Sequence, residues 1–407
     1  MIASDPNQIN PQTLDRFASF VGVDLHKKVV ALAAVDRQGN ILDRIRCSTQ
    51  EPHKIHRFLR GLPRPLWMAV EAVGFIEWFI DEFRPAVERI DIADATKLAS
   101  MRGKRRKNDR KDSLEFAQRL ARGECPLGYI ADEDLLHLRK LGRHWHRLSE
   151  RLSRAKTTVR SLLNAANLEG PTSNSLHMRQ WLELQGHQLK PATLLTIEGL
   201  TQEIEGIEHQ RRSLEEAIRQ ANTSDVFAAD IQLLKTVKGI GDILACIIRA
   251  EVGPFMRFPN ADALEFWSGL TPDNQESAGR TQSGHITKAG PASLRWALGQ
   301  AAMAQCRSDR RVGGIRRKLA NKRGKGKANT AMARRLLRTL YAMMRDGVPY
   351  DPKANTGGTR PAKAQATRPH KDKPTARQRA DAFFASRPPT GAKGERAKNA
   401  YQRSCSC

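Results

Sequence analysis

Cysteine is scarce in this sequence. There are six in 407 residues, and Cys47, Cys125, Cys246 and Cys306 stand singly, far from one another. That spacing offers no disulfide framework and fits reduced thiols. Only Cys405-Ser406-Cys407 brings two thiols together, which leaves metal binding or redox use open there. Long apolar runs are also missing. None reaches the length that spans a bilayer, and the first 19 residues are polar, with no signal-peptide core. Acidic residues are in deficit, 43 Asp and Glu against 69 Lys and Arg, for a formal charge of +26. These absences exclude a disulfide-stapled domain and a helical membrane protein. The excess of positive charge points to a polyanionic partner, above all nucleic acid. An anionic membrane surface is the weaker alternative, because no amphipathic Lys-rich helix or lipidation signal accompanies the charge.

At this length and 40% hydrophobic content the chain is expected to fold as two or three domains. Phe20-Val21-Gly22-Val23-Asp24 is a short apolar strand that ends on a carboxylate. Val29 to Val35 and Ile41 to Cys47 follow across the turn Asp36-Arg37-Gln38-Gly39-Asn40, giving an antiparallel meander. His53 to Leu62 reads as a helix. Trp67 to Val70 is a buried strand ending on Glu71, Gly74 to Phe83 a helix, and Arg89 to Ile92 another strand. Leu98 to Lys111 then carries seven basic residues, Arg102, Lys104, Arg105, Arg106, Lys107, Arg110 and Lys111, with Asp109 and Asp112 at its end and a helix to about Arg122 beyond. Strands first in a meander and then alternating with helices predict an α/β domain over 18–125.

From Asp132 the period changes. Leu138, Leu141, Trp145, Leu148, Leu152, Ala155, Val159 and Leu162 follow a heptad. Gly170, Pro171 and Pro191 read as a break, and a second heptad runs from Ile197 to Ile218. Residues 130–222 are therefore expected to be a coiled-coil helical hairpin, pairing within the chain or across a dimer. His137, His144 and His146 on the first helix read as a solvated face. Residues 230–350 look mostly helical. Val237-Lys238-Gly239-Ile240-Gly241 between two apolar helices has the pattern of a helix-hairpin-helix, whose glycines and following helix N-terminus suit a phosphate. Leu270 to Gly290 is polar and turn-rich and reads as exposed loop, with Arg280 and Lys288 as phosphate contacts. Ser293 reads as the N-cap of a helix over 294–306. The segment 307–338 is strongly basic, and a last helix is expected over Thr330 to Arg345. Residues 351–407 hold thirteen Lys or Arg against four Asp or Glu and read as a disordered basic tail.

Four carboxylates end or follow elements in a basic field: Asp24, Glu71, Asp109 and Asp112. Asp109 and Asp112 are one helical turn apart. Hard oxygen ligands of this kind hold Mg²⁺, and surrounding cations hold a nucleic-acid backbone. Salt bridges within a basic stretch explain the 109/112 pair equally well from spacing alone.

Taken together, Gly22-Val23-Asp24, Val70-Glu71-Ala72-Val73-Gly74, Lys107-Asn108-Asp109-Arg110-Lys111-Asp112, Val237-Lys238-Gly239-Ile240-Gly241, Ser268-Gly269-Leu270-Thr271-Pro272, Glu276-Ser277 and Thr287-Lys288-Ala289-Gly290 with Ser293-Leu294-Arg295 occur in one order. In that order the chain resembles the bacterial insertion-sequence transposases that carry an N-terminal DEDD domain and a C-terminal serine domain, the bridge-RNA-guided recombinases. The resemblance covers about residues 18–350. It implies an RNase H-like (RuvC-like) N-terminal fold, the four acids Asp24, Glu71, Asp109 and Asp112 as Mg²⁺ ligands, and Ser277 as a nucleophile that forms a phosphoserine link to DNA. It further implies donor and target DNA and a structured guide RNA as partners, a homodimer or dimer of dimers, and a place in the bacterial cytoplasm at the nucleoid. Two other classes stay open on the residues alone. One is a metal-dependent, structure-specific endonuclease using the acids without the serine. The other is a nucleic-acid-binding protein without catalysis.

Overall fold

The structure is a computed structural model and describes residues 11–71, 74, 76–93, 109–171, 174–277 and 280–352. Of residues 11–12, 109–112, 274–277 and 280–284 it describes the backbone alone. The chain divides into two units, 1–350 and 351–407. Nearly all of the second, with the expected basic tail and Cys405-Ser406-Cys407, lies outside the described residues, as do Arg102, Lys104, Arg105, Arg106 and Lys107.

After a single helical turn, α1 (Pro11–Leu14), comes a six-stranded mixed sheet in the order β3-β2-β1-β4-β5-β6. Its strands are β1 (Ser19–Leu25), β2 (Val29–Val35), β3 (Ile41–Ser48), β4 (Leu66–Glu71), β5 (Arg89–Ala93) and β6 (Leu127–Gly128). β1 pairs antiparallel with β2 and parallel with β4, and β4 pairs parallel with β5. The near-continuous apolar runs of β1, β2 and β4 belong to strands covered on both faces. β3, at the edge, keeps Asp43, Arg44 and Arg46 toward solvent, which blunts an open edge.

Two layers of helix cover the sheet. On one face α2 (Pro52–Arg60) and α3 (Glu77–Phe83) bury Ile55, Phe58, Leu59, Phe79 and Phe83 against Val21, Val23, Leu25, Met68 and Val70. On the other, α4 (Asp109–Arg122) buries Phe116, Ala117, Leu120 and Ala121 against Phe20, Trp67 and Ala69. A Cβ at Gly22 would stand 2.4 Å from both Ala117 N and Ser113 O, so α4 lies directly on the backbone of β1. Asp109 and Asp112 fall in the first turn of this helix.

The expected heptads form α5 (Glu133–Ala165) and α7 (Pro191–Asn222), which pair antiparallel within the chain. Leu148, Leu152, Ala155, Val159 and Leu163 meet Ile197, Ile204 and Ile207. Two details differ from the sequence reading. Pro191 starts α7 instead of breaking it, because the first helical position needs no amide hydrogen. The stretch between the heptads holds a further helix, α6 (Ser175–Gln185), capped by the Asn174 side chain.

The remaining helices are α8 (Ala228–Lys235), α9 (Asp242–Val252), α10 (Ala261–Ser268), α11 (Ala292–Ser308), α12 (Arg310–Arg323) and α13 (Lys325–Asp346). They share one core with Leu135, Leu138 and Trp145 of α5. The basic stretch 307–338 is helix over most of its length, and α13 begins five residues before the sequence reading placed it. Among the described residues no helix is long and apolar enough to cross a membrane.

Replacing Gly22 by Ala forces α4 off β1. The expected cost is about 2–3 kcal/mol, as for overpacking of a filled core. A fall in the urea midpoint of tryptophan fluorescence measures it, and an unchanged midpoint would show that the helix does not sit this close.

Candidate active site

Asp24 is the sixth residue of β1, in register with Ala31 of β2, so it is held by the ladder and not by a turn. The turn is His26-Lys27-Lys28, closed by the His26 amide donating to Val29 O at 2.9 Å. Along β1, Val21, Val23 and Leu25 face α2 and α3, while Phe20 faces α4. Strand alternation puts Asp24 on the α4 side. Along β4, Trp67 and Ala69 face α4, which puts Glu71 on the same side. The register pairs Val23 with Val70 across parallel strands, so Asp24 and Glu71 are the next residues on adjoining strands. Two carboxylates therefore share one face at the C-terminal ends of β1 and β4. The Asp24 carboxylate is largely covered and lies 3.3 Å from His26 Nε2.

The direction of α4 brings its start to the same end. Near its C-terminus, Gln118 Nε2 donates to Gly39 O and Ala121 O accepts from Arg37 Nη1, both at the β2–β3 turn beside the beginning of β1. Ser113, near its N-terminus, lies over Gly22. The helix thus runs antiparallel to β1, and its first turn, with Asp109 and Asp112, points toward the ends that carry Asp24 and Glu71. The side chains of Asp109 and Asp112 are outside the described residues. Among the described residues no three His, Cys, Asp or Glu side chains cluster as a metal site. The chemistry of the donors, paired carboxylate oxygens at two strand ends, suits a hard divalent cation such as Mg²⁺.

Ser277 lies on a β-hairpin, not in the loop expected from its polar composition. The strands β7 (Pro272–Ser277) and β8 (Arg280–Ile286) pair antiparallel, with Ser277 opposite Arg280 at the closed end. The side chains of Ser277 and Arg280 are outside the described residues. Polarity misled because both faces of a two-stranded ribbon can be wet, so no apolar alternation marks it.

The base of this hairpin is locked by two glycines. Gly269 ends α10 in the left-handed region, and a Cβ there would meet Ala289 N at 2.6 Å and Gly290 N at 2.7 Å. A Cβ on Gly290 would meet Trp267 O at 2.3 Å. The Thr287 amide donates to Thr271 O, and the Arg295 guanidinium donates to Gly290 O. Lys288 sits in this clamp with φ 55°, exposed, its own amide donating to Gly269 O at 3.0 Å. Positive φ at a lysine persists only where neighbours impose it.

The Gly239 turn joins α8 to α9 as expected for a helix-hairpin-helix. Gly239 has φ 102°, and its missing Cβ makes room for Ala304 of α11, so packing alone accounts for that glycine. Lys238 and Gly241 are exposed, and Lys235 pairs with Asp242 at 2.6 Å at the start of α9. Ser293 is not an N-cap. Pro291 holds that position, and Ser293 is buried in the first turn of α11, its Oγ donating to Glu251 Oε1 at 2.5 Å. Glu251, 2% exposed, also accepts two bonds of 2.7 Å from Arg143 Nε and Nη2. His146 leaves the solvated face assigned to it. It is buried, its ring packs on Trp296 at 4.4 Å, and burial pushes its imidazole below the ordinary histidine range.

A family model described as "Transposase", of the IS110 DEDD type, matches residues 21–167, which take in nearly all of the sheet, α4 and the whole of α5. A second, "Transposase IS116/IS110/IS902 family", matches residues 231–314, which include the hairpin. These matches support an IS110-family transposase. The chain is 26% identical over 167 residues to the insertion element IS110 uncharacterized 43.6 kDa protein of Streptomyces coelicolor, covering 40% of each chain. It is 27% identical over 202 residues to the putative transposase y4qE of Sinorhizobium fredii, covering 49% of this chain and 48% of that one. The chain thus matches less than half the length of either relative.

Gly290→Ala is expected to lower the thermal midpoint by several degrees, since the new methyl meets backbone. Gly299→Ala, on α11 with open space around it, is expected to leave the midpoint unchanged or raise it slightly. Equal midpoints for the two variants would show that the clamp does not hold the hairpin.

Proposed function

We propose that this chain is the transposase of an IS110-type insertion element, cutting and rejoining DNA through a serine–phosphate intermediate. What carries the reading is the meeting of Asp24 and Glu71 on one face of adjoining parallel strands, with the first turn of α4 directed to the same end. In this proposal Asp24, Glu71, Asp109 and Asp112 hold Mg²⁺, which when bound supplies charge stabilisation at the reacting phosphate. Ser277 Oγ bonds to phosphorus as the P–O bond to the leaving strand breaks. The serine proton passes to a base, and the departing oxygen takes up a proton. Rejoining reverses these steps with the hydroxyl of the incoming strand. A serine hydroxyl is a weak nucleophile without such help, which is why acids and serine are read as one site.

The partners in this proposal are donor and target DNA and a structured guide RNA, which would pair with both and relieve the protein of reading bases. A homodimer or dimer of dimers would supply the active sites that four strand cuts require. The basic surfaces fit such partners: α12 carries Arg310, Arg311, Arg316, Arg317, Lys318, Lys322 and Arg323 and no acid. Arg280 lies opposite Ser277 in the hairpin register, and Lys288 lies at the hairpin base.

The test uses the full chain purified with its co-purifying RNA, and labelled DNA carrying the element ends. Ser277→Ala is expected to abolish the protein–DNA adduct that survives denaturing gels. Asp24→Asn is expected to slow cleavage by at least about 10²-fold while DNA affinity stays within about twofold. Undiminished cleavage by Ser277→Ala with Mg²⁺ present would leave an acid-only endonuclease. Undiminished cleavage by Asp24→Asn would remove the acidic site altogether.

A further inference from the structure

The buried histidine of α5 lies where nothing in the proposed chemistry uses it. His146 is 7% exposed, and its Nε2 has no hydrogen-bond partner. The nearest acid, Glu150 Oε1, is 3.9 Å away, beyond hydrogen-bond reach. Trp296 fixes the ring from one side. With Arg143, Arg147 and Glu150, His146 lines a surface cavity of about 320 Å³ closed by Pro291 and the first turn of α11, Ala292 and Ser293. An unpaired buried imidazole nitrogen is costly unless something reaches it.

The opposite wall supplies donors. The helix α11 is 17 residues long, its N-cap is Pro291, and no side chain caps its first amides. Those amides and the helix dipole favour an anion. Ser293 cannot serve as the cap because its hydroxyl is committed to Glu251. Arg143 spends Nε and Nη2 on the same carboxylate, leaving Nη1 as its remaining nitrogen. Arg147 is exposed and makes no hydrogen bond or ion pair among the described residues.

We propose that this cavity is a binding site for a backbone phosphodiester of nucleic acid. The α11 amides and His146 Nε2 would hold the phosphate from within, and Arg147 from outside. The proposal rests on the nucleic-acid reading above for the source of the phosphate. The chemistry of the wall, amides and cations with one imidazole, fits a tetrahedral oxyanion with several acceptor oxygens. The cavity lies at the surface, so a strand can continue on either side of the bound phosphate. Its floor, Ala292 and Ser293, follows the hairpin base by a few residues, so a phosphate here would fix a strand relative to the element bearing Ser277. Glu150 is the carboxylate among the residues lining the cavity, with Glu251 behind Arg143 and Ser293, and this makes the removal of Glu150 informative.

The experiment measures anisotropy of fluorescein-labelled 30-nucleotide probes with the full chain, at 50 to 300 mM salt. Single-stranded DNA, single-stranded RNA of the same sequence, and duplex DNA are the three arms. Arg147→Ala is expected to weaken binding about three- to tenfold and to reduce the salt slope by about one phosphate, roughly 0.7 to 0.9. Glu150→Gln is expected to tighten binding. His146→Gln, which keeps a hydrogen-bonding group, is expected to bind better than His146→Phe. Both Arg147 and Glu150 are exposed, so these two variants keep the test decisive should the His146 variants fail to fold. An effect confined to one arm assigns the strand that supplies the phosphate. Unchanged affinity and slope for Arg147→Ala and Glu150→Gln in all three arms overturns the site. The readout is binding alone, so the site stands or falls separately from the serine adduct. A wild-type chain that binds none of the probes would overturn both the site and the nucleic-acid reading behind it.

Discussion

The close seating of α4 on β1 is the constraint on which the sheet and its two helical layers depend. Only a residue without a Cβ lets Ser113 O and the Ala117 amide come so near the strand. At that distance the helix has one direction open to it, along the strand, and Leu120 and Ala121 anchor its far end near Phe20 and Leu14. The first turn is then carried toward the C-terminal ends of β1 and β4. The strand ends that carry Asp24 and Glu71 and the helix start that carries Asp109 and Asp112 come to one end of the sheet because a helix lies flush on it, although 88 positions separate Asp24 from Asp112. Like charges brought together repel, and His26 Nε2 lies 3.3 Å from the Asp24 carboxylate.

The helices that follow the sheet are organised by a different device, a buried carboxylate paired with a half-exposed arginine. Glu251 on α9 is nearly inaccessible, yet it holds Arg143 of α5 through two bonds and Ser293 of α11 through a third. Desolvating a carboxylate is costly, and three charge-assisted bonds offset that cost while tying three helices to one register. The Arg143 guanidinium is held above its usual range by the bond to Glu251, whereas burial lowers Arg139 beside it. The start of α11 follows directly from the glycine clamp of Gly269 and Gly290. The position of the hairpin tip is thus referred back, through α11 and Glu251, to α5.

The sequence made the strands legible because β1, β2 and β4 are apolar throughout, and the two long helices legible because their heptads are regular over several turns. Where it misled, the reason is physical in each case. The β7–β8 ribbon is polar on both sides, so composition alone cannot separate it from a loop. Ser293 has the residue type of a cap, but Pro291 occupies the cap because Glu251 pulls the serine inward. His146 has the period of an exposed position, and only the arrival of Trp296, 150 residues later, buries it. Gly239 invites a phosphate reading, and the side chain that explains it, Ala304, lies on another helix. The candidate acids were legible as carboxylates at strand ends, but their shared face rests on the register Val23 to Val70, which no local pattern encodes.

Charge and geometry play separate parts in such a protein. The long-range attraction of a +26 chain for a polyanion is large and weakly directional, and mobile salt screens it beyond about 8–10 Å. A helix such as α12, with seven cations and no acid, would add affinity for a polyanion without choosing among phosphates. Choosing requires donors whose positions are fixed before the strand arrives. The first amides of α11 are fixed by the helix, and His146 by Trp296. Both are bound to the frame that carries the hairpin, so a strand held there would meet Ser277 in one register. The acids at the ends of β1 and β4 are fixed in the same sense by the sheet. What distinguishes these few positions from the surrounding basic surface is that burial and backbone hold them still, and chemistry at a single phosphodiester needs that more than it needs additional charge.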